Sequence, residues 1–144
     1  MKLSSTELTK NLAAWFESLS PESLNDMPLF YKSDAYFKDP FNEMRDLTQI
    51  KLIFSHMFEQ FEQPRFVIQE HICDDLNQQS VLTWHFLFHW RGKPWCIVGS
   101  SHLRFSERNL VSYHRDYWDA SEELYEKLPF IGFVLKALKK RAQK

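Results

Sequence analysis

The sequence predicts an α+β domain, with helices first and a long antiparallel meander after them. Two observations carry this reading. Up to Phe61 the apolar side chains recur at helical spacing; from Arg65 the period changes to that of strands rich in Val, Ile, Phe, Trp and Tyr. The links between those strands are short, which demands antiparallel neighbours, and helices followed by a run of strands is the α+β order.

The stretch "SSTELTKNLAAWFESL" (4–19) opens with Ser and Thr able to cap a helix. Leu8, Leu12, Trp15 and Leu19 then form its apolar stripe. Pro21 suits the first turn of a short second helix. "DAYFKDP" (34–40) is extended, because Pro40 disfavours helix for Asp39 before it. Asp46 or Thr48 can cap the next helix, "LTQIKLIFSHMFEQF", whose apolar face is Ile50, Phe54, Met57, Phe58 and Phe61, and Pro64 stops it.

Four strands follow: "RFVIQEHIC", "SVLTWHFLFHW", "KPWCIVGSSHLRF" and "LVSYHRDYW", separated by "DDLNQQ", "RG" and "SERN". Several lack clean polar alternation, so both sheet faces are expected to be covered. Helices cover one, and a second subunit is the natural cover for the other, which makes the expected assembly a homodimer through the sheet face. An extra C-terminal helix is expected as an extension over 119–144. Its basic end, from Lys136 to Lys144, suits a helix C-terminus, where positive charge opposes the dipole. A membrane-surface helix is the less favoured reading, since Gly132 interrupts it.

The chain of 144 residues fits a single domain, 1–144. A hydrophobic fraction of 44% excludes a disordered tail, and three glycines leave no phosphate-cradling loop. Net charge near −1 gives no nucleic-acid footprint. Cys73 and Cys96 have no metal-ligand spacing. His85 and His89 share a strand face but stand roughly 13 Å apart, too far for one ion. No metal and no cofactor are therefore expected. Thiols without a signal-peptide pattern point to a cytoplasmic protein, and no apolar run reaches the length of a membrane span.

Two stretches carry a family resemblance. "AYFKDPF" (35–41) resembles the strand on which ketosteroid isomerases carry their general base in an acid-proline pair, which places that role on Asp39. "HRDYWD" (114–119) is similar to a run of the epoxide hydrolases whose first aspartate is an active-site acid, and that aspartate falls on Asp116. The chain thus resembles the SnoaL-like proteins of the nuclear transport factor 2-like superfamily over roughly residues 8–118. The resemblance implies a cone: a curved antiparallel sheet wrapped round the N-terminal helices, with one open mouth and an apolar interior. Where the isomerases build their oxyanion hole, this chain has Trp15 and Ser101. Where the hydrolases carry an arginine and an aspartate, "LTWHFLFHW" has neither.

Alternation along "VSYHRDYWD" puts His114, Asp116 and Trp118 on one face and Tyr113, Arg115 and Tyr117 on the other. The resemblance turns the first set inward. Cβ atoms two strand residues apart lie about 6–7 Å from each other, so Asp116 can hold His114 in one tautomer. Trp84, Phe86 and Phe88 share a face and are expected to line the cone.

Two functions stay open. One is an enzyme without cofactor, an isomerase, cyclase or hydrolase of a small hydrophobic molecule. Asp116 is its main acid or base, Asp39 a second carboxylate, and His114 an orienter or proton relay. Trp15, Tyr31, Trp84, Phe86, Ser101 and Trp118 would form its pocket. The other is a non-catalytic ligand-binding or dimeric interaction module built on the same pocket. Fold alone does not choose between them.

Overall fold

In the computed structural model, which describes residues 1–119, the expected α+β order is present. Helix α1 (Ser5–Glu17) begins at a capping box: the Ser4 hydroxyl accepts from the Glu7 backbone, and the Glu7 side chain accepts from the Ser4 backbone N–H. Its buried face includes Leu8, Leu12, Trp15 and Phe16. A 3-10 helix, Ser23–Leu29, follows and buries Leu24 and Met27. Helix α2 (Leu47–Gln60) is capped by Asp46, not Thr48, through the Asp46 carboxylate and the Thr48 N–H, and buries Ile50 and Phe54.

The strands are β1 (Tyr31–Lys38), β2 (Glu43–Met44), β3 (Glu62–Asp74), β4 (Gln79–Trp90), β5 (Lys93–Phe105) and β6 (Val111–Tyr117). They form one six-stranded sheet in the order β2-β1-β6-β5-β4-β3. From β3 to β6 it is the antiparallel meander that the short links demand. The β4–β5 link is a two-residue turn, Arg91 and Gly92, with φ of 51° and 76°, where glycine removes the cost of the left-handed region. Pro64 does not delimit α2, since β3 starts two residues before it.

One pairing departs from the antiparallel expectation: β1 runs parallel to β6. A parallel pair needs a long crossover, and here everything from β2 to β5 intervenes between the two strands. This pairing brings the start of the chain beside its last described strand. β3 carries register shifts between Glu62 and Arg65, with Gln63 at φ 52° inside, and between Ile68 and Glu70, irregularities of the kind that bend a strand.

Both helices lie on the inner face, α1 against β3 and β4, α2 against β1 and β3. Ser80, Leu82, Trp84, Phe86 and Phe88 of β4 are buried at alternate positions, which is the period-2 signature of one covered face. The expected C-terminal helix lies outside the described residues, apart from its first position, Asp119. Among the described residues no helix is long and apolar enough to cross a membrane.

Candidate functional site

The site is built on β6. It sits between β1 and β5, with His114 opposite Phe37 and Leu103, and Asp116 opposite Ser101. Alternation turns His114 inward, 2% exposed, and Tyr117 outward, 47% exposed. The Asp116 side chain is 16% exposed, at the edge of the covered face.

Five side chains from four strands form one chain of hydrogen bonds. The Trp84 indole N–H donates to Ser101 Oγ at 2.9 Å, and Ser101 O–H donates to Asp116 Oδ1 at 2.5 Å. From the other side His114 Nε2 lies 2.6 Å from the same Oδ1, and the Tyr31 hydroxyl lies 2.6 Å from His114 Nδ1. A carboxylate accepts, so in the imidazole tautomer that fits both contacts His114 Nε2 donates to Asp116 Oδ1 and Nδ1 accepts from the Tyr31 O–H. Burial, with the charge of Asp116 adding to it, holds the Tyr31 phenol well above its ordinary range, so the phenol keeps its proton. Every bond in the chain then points toward Asp116 Oδ1. Among the described residues Oδ2 accepts none.

His114 lies at the inner end of this chain of bonds. Both of its nitrogens are committed, the ring is buried, and the next group along, Tyr31, is 1% exposed. Among the described residues that path ends inside the protein at Tyr31. The rings of Phe16, Phe37 and Tyr31 enclose the imidazole, with centroids 5.9, 4.9 and 5.9 Å away.

Around Trp84 the inner face of the sheet is aromatic and buried. Phe66 meets Trp84 edge-on at 5.4 Å, and Phe86 packs between Phe66 and Phe88 at 4.9 and 5.1 Å. Asp116 also lines an open cleft of about 580 Å³ together with Asp39, Lys38, Arg115 and Trp118. Trp118 meets Phe41 edge-on at 5.5 Å.

Asp39 occupies the same cleft in a different way. Its Oδ1 accepts from the Phe41 N–H at 2.8 Å and the Asn42 N–H at 2.7 Å, and its own N–H donates to the Asn42 carbonyl. The Asn42 amide reaches both carboxylate oxygens. It is thus the first residue of a closed Asx turn that carries β1 into β2. Burial raises its carboxyl above the ordinary range and the charge of Asp116 adds to this, while the bonds from Phe41 and Asn42 pull partly the other way.

Two residues placed at the isomerase-like donor positions are spent elsewhere. The Trp15 indole N–H donates to the Ser23 carbonyl at 3.1 Å, and its ring stacks on Phe30 at 4.9 Å. Trp15 is a packing residue of the wall, with no donor to offer a ligand. Ser101 gives its proton to Asp116. Of the sequence-predicted set, the structure therefore unites Asp116, His114, Tyr31, Trp84 and Ser101, with Phe86 beside them. Asp39 and Trp118 meet Asp116 at the cleft, and Trp15 stays behind Tyr31, ring centroids 6.3 Å apart. The sequence reading missed Tyr31 as the partner of His114, because the two lie 83 residues apart. It also missed Phe16 and Phe37 as walls of the imidazole. Among the described residues no three His, Cys, Asp or Glu side chains form a group able to hold a metal ion.

Comparison with known proteins supports the architecture. No curated protein matches the chain in sequence. An LEH-like epoxide hydrolase from M. tuberculosis superposes with a TM-score of 0.69 at 13% identity, covering 93% of this chain and 97% of that one. A SnoaL-like protein from Shewanella putrefaciens, provisionally assigned as a polyketide cyclase, gives 0.66 at 16%, covering 85% and 98%. A hypothetical protein of ketosteroid isomerase-like fold from Catenulispora acidiphila, solved with trimethylamine, gives 0.66 at 17%, covering 83% and 90%. At these identities the likeness is one of fold. The profile of the SnoaL-like domain matches residues 12–114, more than half of the chain, and the chain belongs to that family.

Proposed function

We propose that this protein is a cofactor-free acid–base enzyme that moves a proton on a small hydrophobic molecule, as an isomerase, cyclase or hydrolase. Asp116 is the carboxylate that takes and returns the proton, His114 orients it, and Asp39 is the second carboxyl of the cleft. The observation that supports this most is the one-sided bonding of Asp116. Four other side chains fix Oδ1 directly or in relay, and Oδ2 accepts no hydrogen bond among the described residues. A carboxylate held in this way keeps one basic oxygen for a proton transfer and loses little orientational freedom.

Isomerisation or cyclisation through proton abstraction next to a carbonyl fits better than epoxide hydrolysis. The inward positions of β4 are Ser80, Leu82, Trp84, Phe86 and Phe88, so the arginine and aspartate of the hydrolase-like arrangement have no counterpart there. Relatives of the fold include a provisional polyketide cyclase as well as an epoxide hydrolase, and the first is the closer analogue in chemistry.

The test is proton exchange in D2O. Wild-type protein is incubated with a panel of hydrophobic cyclic ketones and β-diketones, and loss of the α-proton signal is followed by NMR. Exchange of at least one compound above the buffer rate, abolished by Asp116→Asn, is the expected result. Binding of several compounds with no catalysed exchange would convert the reading to that of a ligand-binding module.

We also propose a homodimer through the outer sheet face, in the cytoplasm, where the thiols of Cys73 and Cys96 suit a reducing medium. Ile72, Val98 and Tyr117 are about half exposed on that face. Glu70 and Asp74 lie at its β3 side, with Arg104 and Arg115 across on β5 and β6, so a two-fold axis between them sets acid against base. Sedimentation equilibrium decides this: Val98→Glu should dissociate a wild-type dimer, and a wild type that is monomeric at all concentrations removes the idea.

A further inference from the structure

Gly99 stands directly opposite Trp84 in the β4–β5 ladder, and both positions face the covered side of the sheet. A Cβ at residue 99 would lie 2.4 Å from Trp84 Cη2, 2.8 Å from Cζ2 and 2.9 Å from Cζ3. No side chain fits there. Only Gly92 and not Gly99 has a positive φ, so Gly99 serves space and not backbone conformation. The vacancy lets the six-membered ring of the indole lie across β5, toward Ser101 two residues further along the same strand. Ser101 pairs with Leu82, so it is a diagonal neighbour of Trp84, a distance that only a long aromatic side chain lying over the strand can bridge. The indole N–H then reaches Ser101 Oγ at 2.9 Å, and Ser101 in turn donates to Asp116.

We propose that Gly99 is a positioning residue of the Asp116 site: by leaving room for the Trp84 indole it sets the Ser101 hydroxyl that holds Asp116 Oδ1. The proposal rests on Asp116 as the working carboxylate, and it adds a residue that touches neither the acid nor its hydrogen-bond partner. A Cβ at residue 99 tilts the indole off the strand. Its N–H then leaves Ser101, the serine hydroxyl is free to turn, and Asp116 keeps only its His114 brace. Gly99 acts through steric room, so its effect should vanish when the indole is made smaller.

The experiment uses four variants of the full chain: Gly99→Ala, Trp84→Phe, Ser101→Ala and the double variant G99A/W84F. The first readout is the Trp84 indole N–H resonance in a 1H–15N spectrum, assigned by its absence from Trp84→Phe. Gly99→Ala should shift it toward the position it takes in Ser101→Ala, where the acceptor is gone. The second is melting temperature, and the third is the proton-exchange rate in D2O. Gly99→Ala should lose stability and about tenfold or more in rate, the usual cost of a lost supporting partner. The double variant should recover stability, because a phenyl ring ends short of the clash, yet exchange no faster than Trp84→Phe.

Recovery of both stability and rate in the double variant would show that Gly99 matters for packing alone and would overturn the proposal. So would an unmoved indole resonance in Gly99→Ala. Should wild-type protein exchange no α-proton at all, the reading of Asp116 fails, while the indole resonance still reports whether Gly99 sets the Trp84–Ser101 bond.

Discussion

Asp116 and Asp39 line one cleft and are both carboxylates at the ends of strands, yet they are held by opposite means. Asp116 is fixed by side chains from β1, β4, β5 and its own β6, up to 85 residues away along the chain, and among the described residues one of its oxygens accepts nothing. Asp39 is fixed by Phe41 and Asn42, two and three residues further along the chain, and both of its oxygens are engaged. A carboxylate held by its own turn shapes the backbone. Asp116, held from a distance, keeps an oxygen that accepts no hydrogen bond among the described residues, as the proposed role requires. The difference shows why an acid in a pocket is weak evidence until its hydrogen-bond partners are known.

The largest expected effect breaks the comparison at its active end. Asp116→Asn should lower α-proton exchange by about 10²–10⁴-fold, the usual worth of a positioned base, and leave the fold intact. Tyr31→Phe comes next. It removes the donor to His114 Nδ1 and leaves a buried acceptor unsatisfied, which costs about 1–3 kcal/mol of stability in urea unfolding. A loss of several-fold in exchange should accompany it as the imidazole loosens.

At the other end, Asp39→Ala should cost about 1 kcal/mol, because two backbone N–H groups lose their acceptor. Asp39→Asn should cost less at neutral pH, since an amide oxygen can still close the turn. The smallest effect is in its pH dependence. The folded-state value of Asp39 is raised above the ordinary 3.8, so its contribution to stability is complete below that value and is lost as pH rises through the folded one. Asp39→Asn has no such loss. Its stability relative to wild type should therefore rise with pH across that window, and a difference that falls with pH would contradict the assigned cause.

The sequence revealed some of this site and hid the rest for physical reasons. Strand period is local, so the shared face of His114 and Asp116 and that of Trp84, Phe86 and Phe88 were legible from alternation alone, while the inward direction came from the family resemblance. So were the Ser4 cap and the glycine of the β4–β5 turn. The parallel pairing of β1 with β6 was not, because it depends on a crossover through most of the fold. With it went the Tyr31–His114 bond. The direction of the Trp15 N–H depends on how the chain reverses after α1 toward Ser23, which helical period says nothing about. Asp39 carries two signals at once. Its "DPFN" context is an ordinary turn signal, an aspartate with an asparagine three residues on, and the same residues carry the resemblance to a base-bearing strand.

One measurement tests the division of labour between the two acids most directly. Wild-type protein, Asp116→Asn and Asp39→Asn are compared side by side for α-proton exchange of the same ketone in D2O at pH 7. The expected result is exchange lost in Asp116→Asn and kept within several-fold of wild type in Asp39→Asn. Loss in Asp39→Asn with Asp116→Asn unaffected would contradict it and move the proton-handling role to the turn.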